Sequence, residues 1–437
     1  MNGNHNRRIA FKTIGCRLNQ YETERMAADL NPFGLNRVRP GEPADVFIIN
    51  TCTVTHKADK DCRYYIRRAR RVNPDCKVVV VGCYVEHDAA RLKAMEQVDV
   101  LVYNDQKQAI ADILQNRLPD IFTPPDPLSC SRNPDPVARS IRNRAWIKIS
   151  DGCNQTCSFC LVTKVRGKLI NRPADELLSE IHDLVRQGFH EVVLTGVNIG
   201  YYNDLNADPP IRDLAEFCRR TITQTGLTRL RLSSTEPQTV SESLITLAAE
   251  NSGLCRYFHI PAQSGSSRIL RLMKRPYTQL QYLDRLDMIK KADHRITVGA
   301  DIIVGFPGET ELDFAQSCAV ADSGLIDYLH VFSYSDRPGT AAFDMPGKVP
   351  PEVITQRHDH LQAISNHRWQ QTLTRQVGRT LQVIAEHRQA PDGSRMAVAD
   401  NYVRVRLPHG INPCRTPVTI NVTTAYDGYV EGDLSTP

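Results

Sequence analysis

Apolar and polar residues along the chain recur in two periods, and the places where the period changes divide it into parts. From about residue 7 to 118, short apolar runs each precede a stretch of helical spacing: 9–14 before 20–30, 46–49 before 57–72, 77–81 before 88–97, and 100–102 before 106–118. That alternation predicts an open, mostly parallel α/β sheet. Six prolines between Pro119 and Pro136 suit neither helix nor central strand, so 119–138 reads as an extended linker. Strand-then-helix alternation resumes for six cycles within 139–371, with strands at 146–149, 191–194, 230–232, 257–260, 296–304 and 328–332. Polar and glycine residues follow these strands, the mark of a barrel whose site lies at the carboxyl ends of its strands. Six cycles predict a partial (β/α)6 barrel, open on one side to a large substrate. A polar helix is expected at 351–372. Across 372–437 the period falls to two, at 380–385, 396–399, 402–407, 418–422 and 429–432, which predicts a small OB-like β-barrel. The expected class is α/β, with domains at 7–118, 139–371 and 372–437.

Composition narrows the setting more than the chemistry. Apolar residues make up 41% of the 437 and charged residues 24%, ordinary for a soluble globular protein. The first eight residues lack an apolar leader core, and no apolar run approaches membrane length, so a cytoplasmic protein without membrane contact is expected. In a reducing compartment, clustered members of the 13 cysteines read as metal ligands rather than disulfides. Cys62, Cys76, Cys130, Cys218, Cys255, Cys318 and Cys414 fall outside any cluster and read as small core or surface residues.

The first barrel strand runs into Cys153-x3-Cys157-x2-Cys160, with Phe159 before the last cysteine. Three thiolates can hold three irons of a 4Fe–4S cluster and leave the fourth open. An open iron suits S-adenosylmethionine (SAM), whose amino and carboxylate groups can chelate it, and a reduced cluster can then cleave the sulfonium to a 5′-deoxyadenosyl radical. A structural zinc site is the alternative, but it wants a fourth Cys or His, and none occurs from Ser140 to Pro173. The loop therefore reads as a radical-SAM cluster site. Candidate SAM contacts follow later strands: Thr195, Gly196 and Asn198; Ser233 and Ser234; Gln263; and Gly305. Ordinary turns and helix caps are their local alternative. In the first domain Cys16, Cys52 and Cys83 each fall just past a predicted strand. Carboxyl ends of parallel strands share one edge, so the three can converge on a second 4Fe–4S cluster; the alternative is three separate core cysteines.

Basic residues suggest a nucleic-acid partner. Arg63, Arg67, Arg70 and Arg71 fall on one face of a predicted helix, either as a phosphate-contacting stripe or as a solvated face. In the tail, Tyr402, Arg404 and Arg406 share one strand face, which fits an RNA platform, with a packing barrel as the alternative.

Taken together, Gly15-Cys16-Arg17-Leu18-Asn19-Gln20-Tyr21-Glu22-Thr23, Asn50-Thr51-Cys52-Thr53-Val54-Thr55, Val80-Val81-Gly82-Cys83-Tyr84 and Arg231-Leu232-Ser233-Ser234-Thr235-Glu236-Pro237 resemble the methylthiotransferases of the radical-SAM class. The resemblance spans nearly the whole chain and is strongest to the branch acting on threonylcarbamoyladenosine in tRNA. It implies a TRAM-type tail, two 4Fe–4S clusters, two SAM per turnover and hydrogen abstraction from carbon 2 of the adenosine 3′ of the anticodon. An electron donor such as flavodoxin or ferredoxin is implied as well. Other substrates open to the class are isopentenyladenosine tRNA and a ribosomal-protein aspartate. A reading of another kind is an RNA-binding iron–sulfur protein without turnover.

Overall fold

A computed structural model of the chain describes residues 7–123, 143–250, 253–390, 392–411 and 415–435. Most of the expected linker, Cys130 and Cys414 lie outside these residues. The first domain is built on β1 (Arg8–Thr13), β2 (Asn36–Val38), β3 (Val46–Thr51), β4 (Lys77–Gly82) and β5 (Val100–Val102), all parallel, in the order β2-β1-β3-β4-β5. Strand β3 is buried along its whole length, as a strand covered on both faces must be. Helices α1 (Arg17–Asp29) and α4 (Ile110–Arg117) cover one face through Met26, Ile110 and Leu114. Helices α2 (His56–Val72) and α3 (Cys83–Lys93) cover the other through Ile66, Val85 and Leu92. Two details differ from the sequence reading. The short edge strand β2 was not expected, because Asn36-Arg37-Val38 carries no apolar alternation. Helix α3 begins at Cys83 rather than 88: it is broken at Asp88 (φ −150°, ψ 59°), whose carboxylate accepts from the Arg91 N–H at 3.1 Å. The periodicity revealed only the segment after that break.

In the second domain, β6 (Ala145–Lys148) leads through a short hairpin, β7 (Ser150–Asp151) and β8 (Ile170–Asn171), into β9 (Glu191–Thr195) and β10 (Arg229–Leu232). Strands β11 (Tyr257–His259), β12 (Thr297–Val304) and β13 (Tyr328–Ser333) follow. They form two parallel three-stranded sheets, β6-β9-β10 and β11-β12-β13, joined by parallel bridges at Leu230–Leu254 and Ser234–His259. The result is the expected six-stranded arc, open between β6 and β13. Val298, Ala300, Ile302 and Val304 point outward into the helical core, which leaves Gly299 and Asp301 facing the lumen.

The first domain closes the gap. Beside β6, Arg166 reaches Glu22 of α1 at 2.9 Å. Beyond β13, buried Arg337 donates to Asp59 at 2.7 Å and Thr53 at 2.6 Å. A helix from Pro351 to Thr374 then leads into the tail, so the expected boundary at 371/372 falls inside it.

The tail is a closed barrel in the order β14-β15-β16-β18-β17, with β14 (Thr380–Gln389), β15 (Arg395–Ala399), β16 (Arg404–Leu407), β17 (Val418–Ala425) and β18 (Val430–Leu434). It docks under the amino ends of the arc. Arg231 donates to Asp400 O (2.9 Å) and Ala399 O (2.8 Å), while fully buried Glu191 holds Arg229 and Arg231 at 2.7 and 2.8 Å. Tyr402 does not share a face with Arg404 and Arg406, contrary to the sequence reading. Its φ of +70° takes it out of strand geometry, and its ring turns inward to stack on Tyr257 at 4.5 Å. Among the described residues, no helix is long and apolar enough to cross a membrane.

Candidate functional site

The loop after β7 is pinned from both sides: Ser158 donates to Leu272 O (2.8 Å) and Met273 O (3.1 Å), and its own carbonyl accepts from Ala342 N (2.8 Å). Each sulfur receives a donor. Gln155 N and Asn198 Nδ2 reach Cys153 Sγ at 3.4 and 3.6 Å, Val162 N reaches Cys160 Sγ at 3.4 Å, and Arg275 Nη1 reaches Cys157 Sγ at 3.2 Å. Arg275 is itself held by Glu236 and by Tyr277 Oη. Such donors stabilise thiolate on a metal and tune its potential. Burial pushes the Cys160 thiol up to about 12; it also raises Cys157, where Arg275 opposes it. Bare, the Cys157 and Cys160 sulfurs keep their protons, so a bound cluster must displace them.

Among the described residues, neither cysteine trio brings its three sulfurs within 4.8 Å of one another. Thiolates on one tetrahedral zinc sit roughly 3.8 Å apart. Three cysteine sulfurs are the donor set that a 4Fe–4S cluster takes.

The strand ends above the loop carry buried polar atoms without partners: Asn198 Oδ1, Ser233 Oγ, Ser150 Oγ and Thr235 Oγ1. Unsatisfied buried groups are costly, and a polar ligand such as SAM would satisfy them. Ser150 and Thr235 were not singled out from sequence, since serine and threonine at strand ends carry no distinguishing signal. Thr195 is buried at the end of β9, and Ser234 bridges β10 to β11. Gly196 has a packing reason: a Cβ there would lie 2.5 Å from Ser150 Oγ. At Gly305 a Cβ would meet Ile354 at 2.4 Å, and its N–H donates to Glu309. Gln263 sits at φ +64° with its N–H on Asp301 O.

Cys16, Cys52 and Cys83 stand at one edge. Thr13 pairs with Asn50 and Thr51 with Gly82, so the three strands end level. Strand order reverses between β1 and β3, the switch point where such sheets open a crevice, and Cys16 and Cys52 flank it. Gly15 (φ +105°) is required there, because a Cβ would lie 2.6 Å from Cys52 Cβ. Burial pushes the Cys52 thiol up to about 12 and raises Cys16, although Cys16 is exposed at its rim.

A buried polar network joins the two trios. Arg166, six residues after Cys160, donates to Asn19 Oδ1 at 2.8 Å as well as to Glu22 and Asp151. Asn19 also donates to Ile14 O and Thr51 O, the backbone around Cys16 and Cys52. Asn104 Nδ2 lies 2.7 Å from Val165 O and 3.7 Å from Cys83 Sγ. Burial alone would raise the Glu22 carboxyl, but Lys107, Arg166 and Lys148 hold it well below the usual carboxylate range. Pairs so distant in sequence leave no local signal.

Inside the arc, Asp301 accepts from His259 at 2.8 Å, His259 meets Tyr257 Oη at 3.2 Å, and Tyr257 meets Tyr328 Oη at 2.5 Å. His330 and Phe332 lie further along β13 with exposed rings, Phe332 at 45%. The expected RNA residues fare unevenly. Arg63 is half-buried on Tyr84 Oη (2.6 Å) and Arg70 pairs with Asp99, while Arg67 and Arg71 stay exposed. Arg404 pairs with Glu386, and Arg406 with Asp392 and Glu431. Exposed pairs of this kind are worth about 0–1 kcal/mol and exchange readily for phosphate.

Residues 8–103 match the family described as Uncharacterized protein family UPF0004, and residues 147–321 match the Radical SAM superfamily. A Bacillus subtilis (strain 168) protein named Threonylcarbamoyladenosine tRNA methylthiotransferase MtaB is 33% identical over 98% of this chain and 96% of its own length. A Mycobacterium sp. (strain MCS) protein named tRNA-2-methylthio-N(6)-dimethylallyladenosine synthase is 34% identical over 86% of this chain and 76% of its own length. Among solved structures, the radical S-adenosylmethionine methyltransferase TsrM from Kitasatospora setae has a TM-score of 0.53 at 14% identity, covering 77% of each chain. That likeness speaks for the fold alone.

Proposed function

The chain belongs to the radical-SAM methylthiotransferases, and on that premise we propose that it converts N6-threonylcarbamoyladenosine, 3′ of the anticodon in tRNA, to its 2-methylthio derivative. One observation carries the reading: two cysteine trios, joined through Arg166 and Asn19, border an aromatic lumen with exposed rings. Cys153, Cys157 and Cys160 would hold one 4Fe–4S cluster, and Cys16, Cys52 and Cys83 a second. When bound, the first cluster and SAM supply the radical that takes hydrogen from carbon 2 of adenine. Asn198, Ser233, Ser150 and Thr235 would bind SAM through their unpartnered atoms. Arg275 stabilises charge on the Cys157 sulfur, and the first domain excludes water by closing the arc. A cytoplasmic setting and a flavodoxin- or ferredoxin-like electron donor complete the proposal. The threonylcarbamoyl branch is favoured because the similarity runs over 96% of that relative but 76% of the dimethylallyl one.

Mass analysis of tRNA nucleosides from a deletion strain tests this. Loss of 2-methylthio-N6-threonylcarbamoyladenosine, restored by the gene, is expected. Loss of the methylthio-isopentenyl nucleoside instead would move the substrate, and unchanged nucleosides would remove tRNA. A smaller prediction concerns the tail. Arg404→Ala with Arg406→Ala should weaken tRNA binding and lower the slope of log affinity against log salt by about 1–2, since each phosphate contact releases counterions. Unchanged affinity in a filter-binding titration would return this face to packing.

A further inference from the structure

Arg17 follows Cys16 directly, yet its side chain serves neither the sulfur nor the sheet. Its Nη2 donates to Tyr402 Oη at 2.6 Å, and its guanidinium lies 5.6 Å over the Tyr402 ring. Among the described residues no carboxylate pairs with it, although Glu22 and Asp151 on the same side of the arc are engaged by other cations. Tyr402 in turn stacks on Tyr257 at 4.5 Å and on Tyr328 at 6.4 Å, which places the guanidinium at the lumen wall rather than in bulk water. Tyr402 is brought there at a cost, since a bulky residue at φ +70° is strained by roughly 1–3 kcal/mol. Two domains thus contribute one side chain each to a pre-positioned, half-buried cation without an anion.

We propose that Arg17, oriented by Tyr402, receives the carboxylate of the threonylcarbamoyl substituent while the adenine lies against the exposed rings of His330 and Phe332. This deepens the proposed function and rests on it. The chemistry fits at each point. Carbon 2 and the N6 substituent flank N1 on one edge of adenine, so a base presenting carbon 2 toward Cys16 also presents its substituent toward the next residue. A guanidinium binds carboxylate in its planar fork, and one already held by a tyrosine loses little freedom on doing so. Aromatic faces stack bases without regard to the substituent. An isopentenyl group offers the guanidinium nothing and would leave it desolvated and unpaired. Asp301 faces the same lumen, but its carboxylate is engaged by His259.

The test uses the full-length, cluster-loaded enzyme and two anticodon stem-loop RNAs, one bearing N6-threonylcarbamoyladenosine and one bearing its carboxamide. The ratio of kcat/KM for acid over amide, with the ratio of the two dissociation constants, reads the carboxylate contact alone. The wild type should favour the acid by roughly 10- to 100-fold, the range of a charge-assisted hydrogen bond. Arg17→Gln should bring both ratios near one, Arg17→Lys should keep part of them, and Tyr402→Phe should lower them less than Arg17→Gln. Because the acid–amide comparison within the wild type needs no variant, poor cluster loading of Arg17→Gln does not decide the matter. A wild type that treats the two RNAs alike overturns the assignment while leaving the proposed function standing. So does an Arg17→Gln enzyme that keeps the wild-type ratios. A wild type that modifies neither RNA overturns the proposed function, and the assignment falls with it.

Discussion

Replacing Cys16, Cys52 and Cys83 together with alanine should abolish methylthio product while SAM is still cleaved to 5′-deoxyadenosine. The expectation follows from where the two trios sit. The first-domain sulfurs come from three strand ends of a separate sheet, and none supports the Cys153–Cys160 loop, which is held by Leu272, Met273 and Ala342. Losing the first trio should therefore leave the second able to bind its cluster, and iron should fall from about eight to about four per chain. The converse variant at Cys153, Cys157 and Cys160 should lose both reactions. Iron assay, anaerobic product analysis and nucleoside mass read all of this in one preparation. A variant lacking Cys16, Cys52 and Cys83 that keeps full iron and still forms product would make those three residues core cysteines.

Arg166→Met should be the most damaging change outside the cysteines. Arg166 and Glu22 are buried, with side chains 4% and 6% exposed, and they join the two domains. Removing one member of a buried pair typically costs about 3–5 kcal/mol, because the other charge stays buried without its partner. Lys107 and Lys148 remain beside Glu22, so the lower end of that range is expected. The pH dependence has a definite sign. A carboxyl held below its unfolded pKa of about 4.3 contributes stability above that pH and loses it as pH falls through the folded value. The gap between variant and wild type in thermal unfolding should therefore be widest at neutral pH and narrow in acid. Product formation should suffer more than SAM cleavage, since a displacement of 1 Å between the two edges can cost roughly 100-fold in rate. Unchanged unfolding with unchanged product would show that the pair is not what aligns the domains.

The sequence exposed the strand ends because buried parallel strands are continuous apolar runs with abrupt polar endings. The cysteines of both trios fall at such endings, so position and residue type agreed. Ser233 and Asn198 carry orphaned buried atoms, whereas Gly196 and Gly305 turn out to have packing reasons of their own. What stayed hidden depends on long-range pairing. Arg166 lies 144 residues from Glu22, and Arg337 lies 278 from Asp59. Neither partner is unusual in its own neighbourhood. Tyr402 was misplaced for a different reason: alternation carried one residue pair too far cannot register a left-handed backbone.

That same tyrosine ties the tail to the arc. Residues 398–402 are clamped beneath the arc by Arg229 and Arg231, and the Tyr402 ring stacks on Tyr257 at 4.5 Å. On the proposed function, the tail would act as a depth stop. A nucleoside entering from the carboxyl ends of the strands would then descend until its substituent met that ring, and the length of the substituent would set how high the base came to rest. Because an anticodon-loop base must be unstacked to enter at all, such a stop would turn a flipped base into one held at a fixed height.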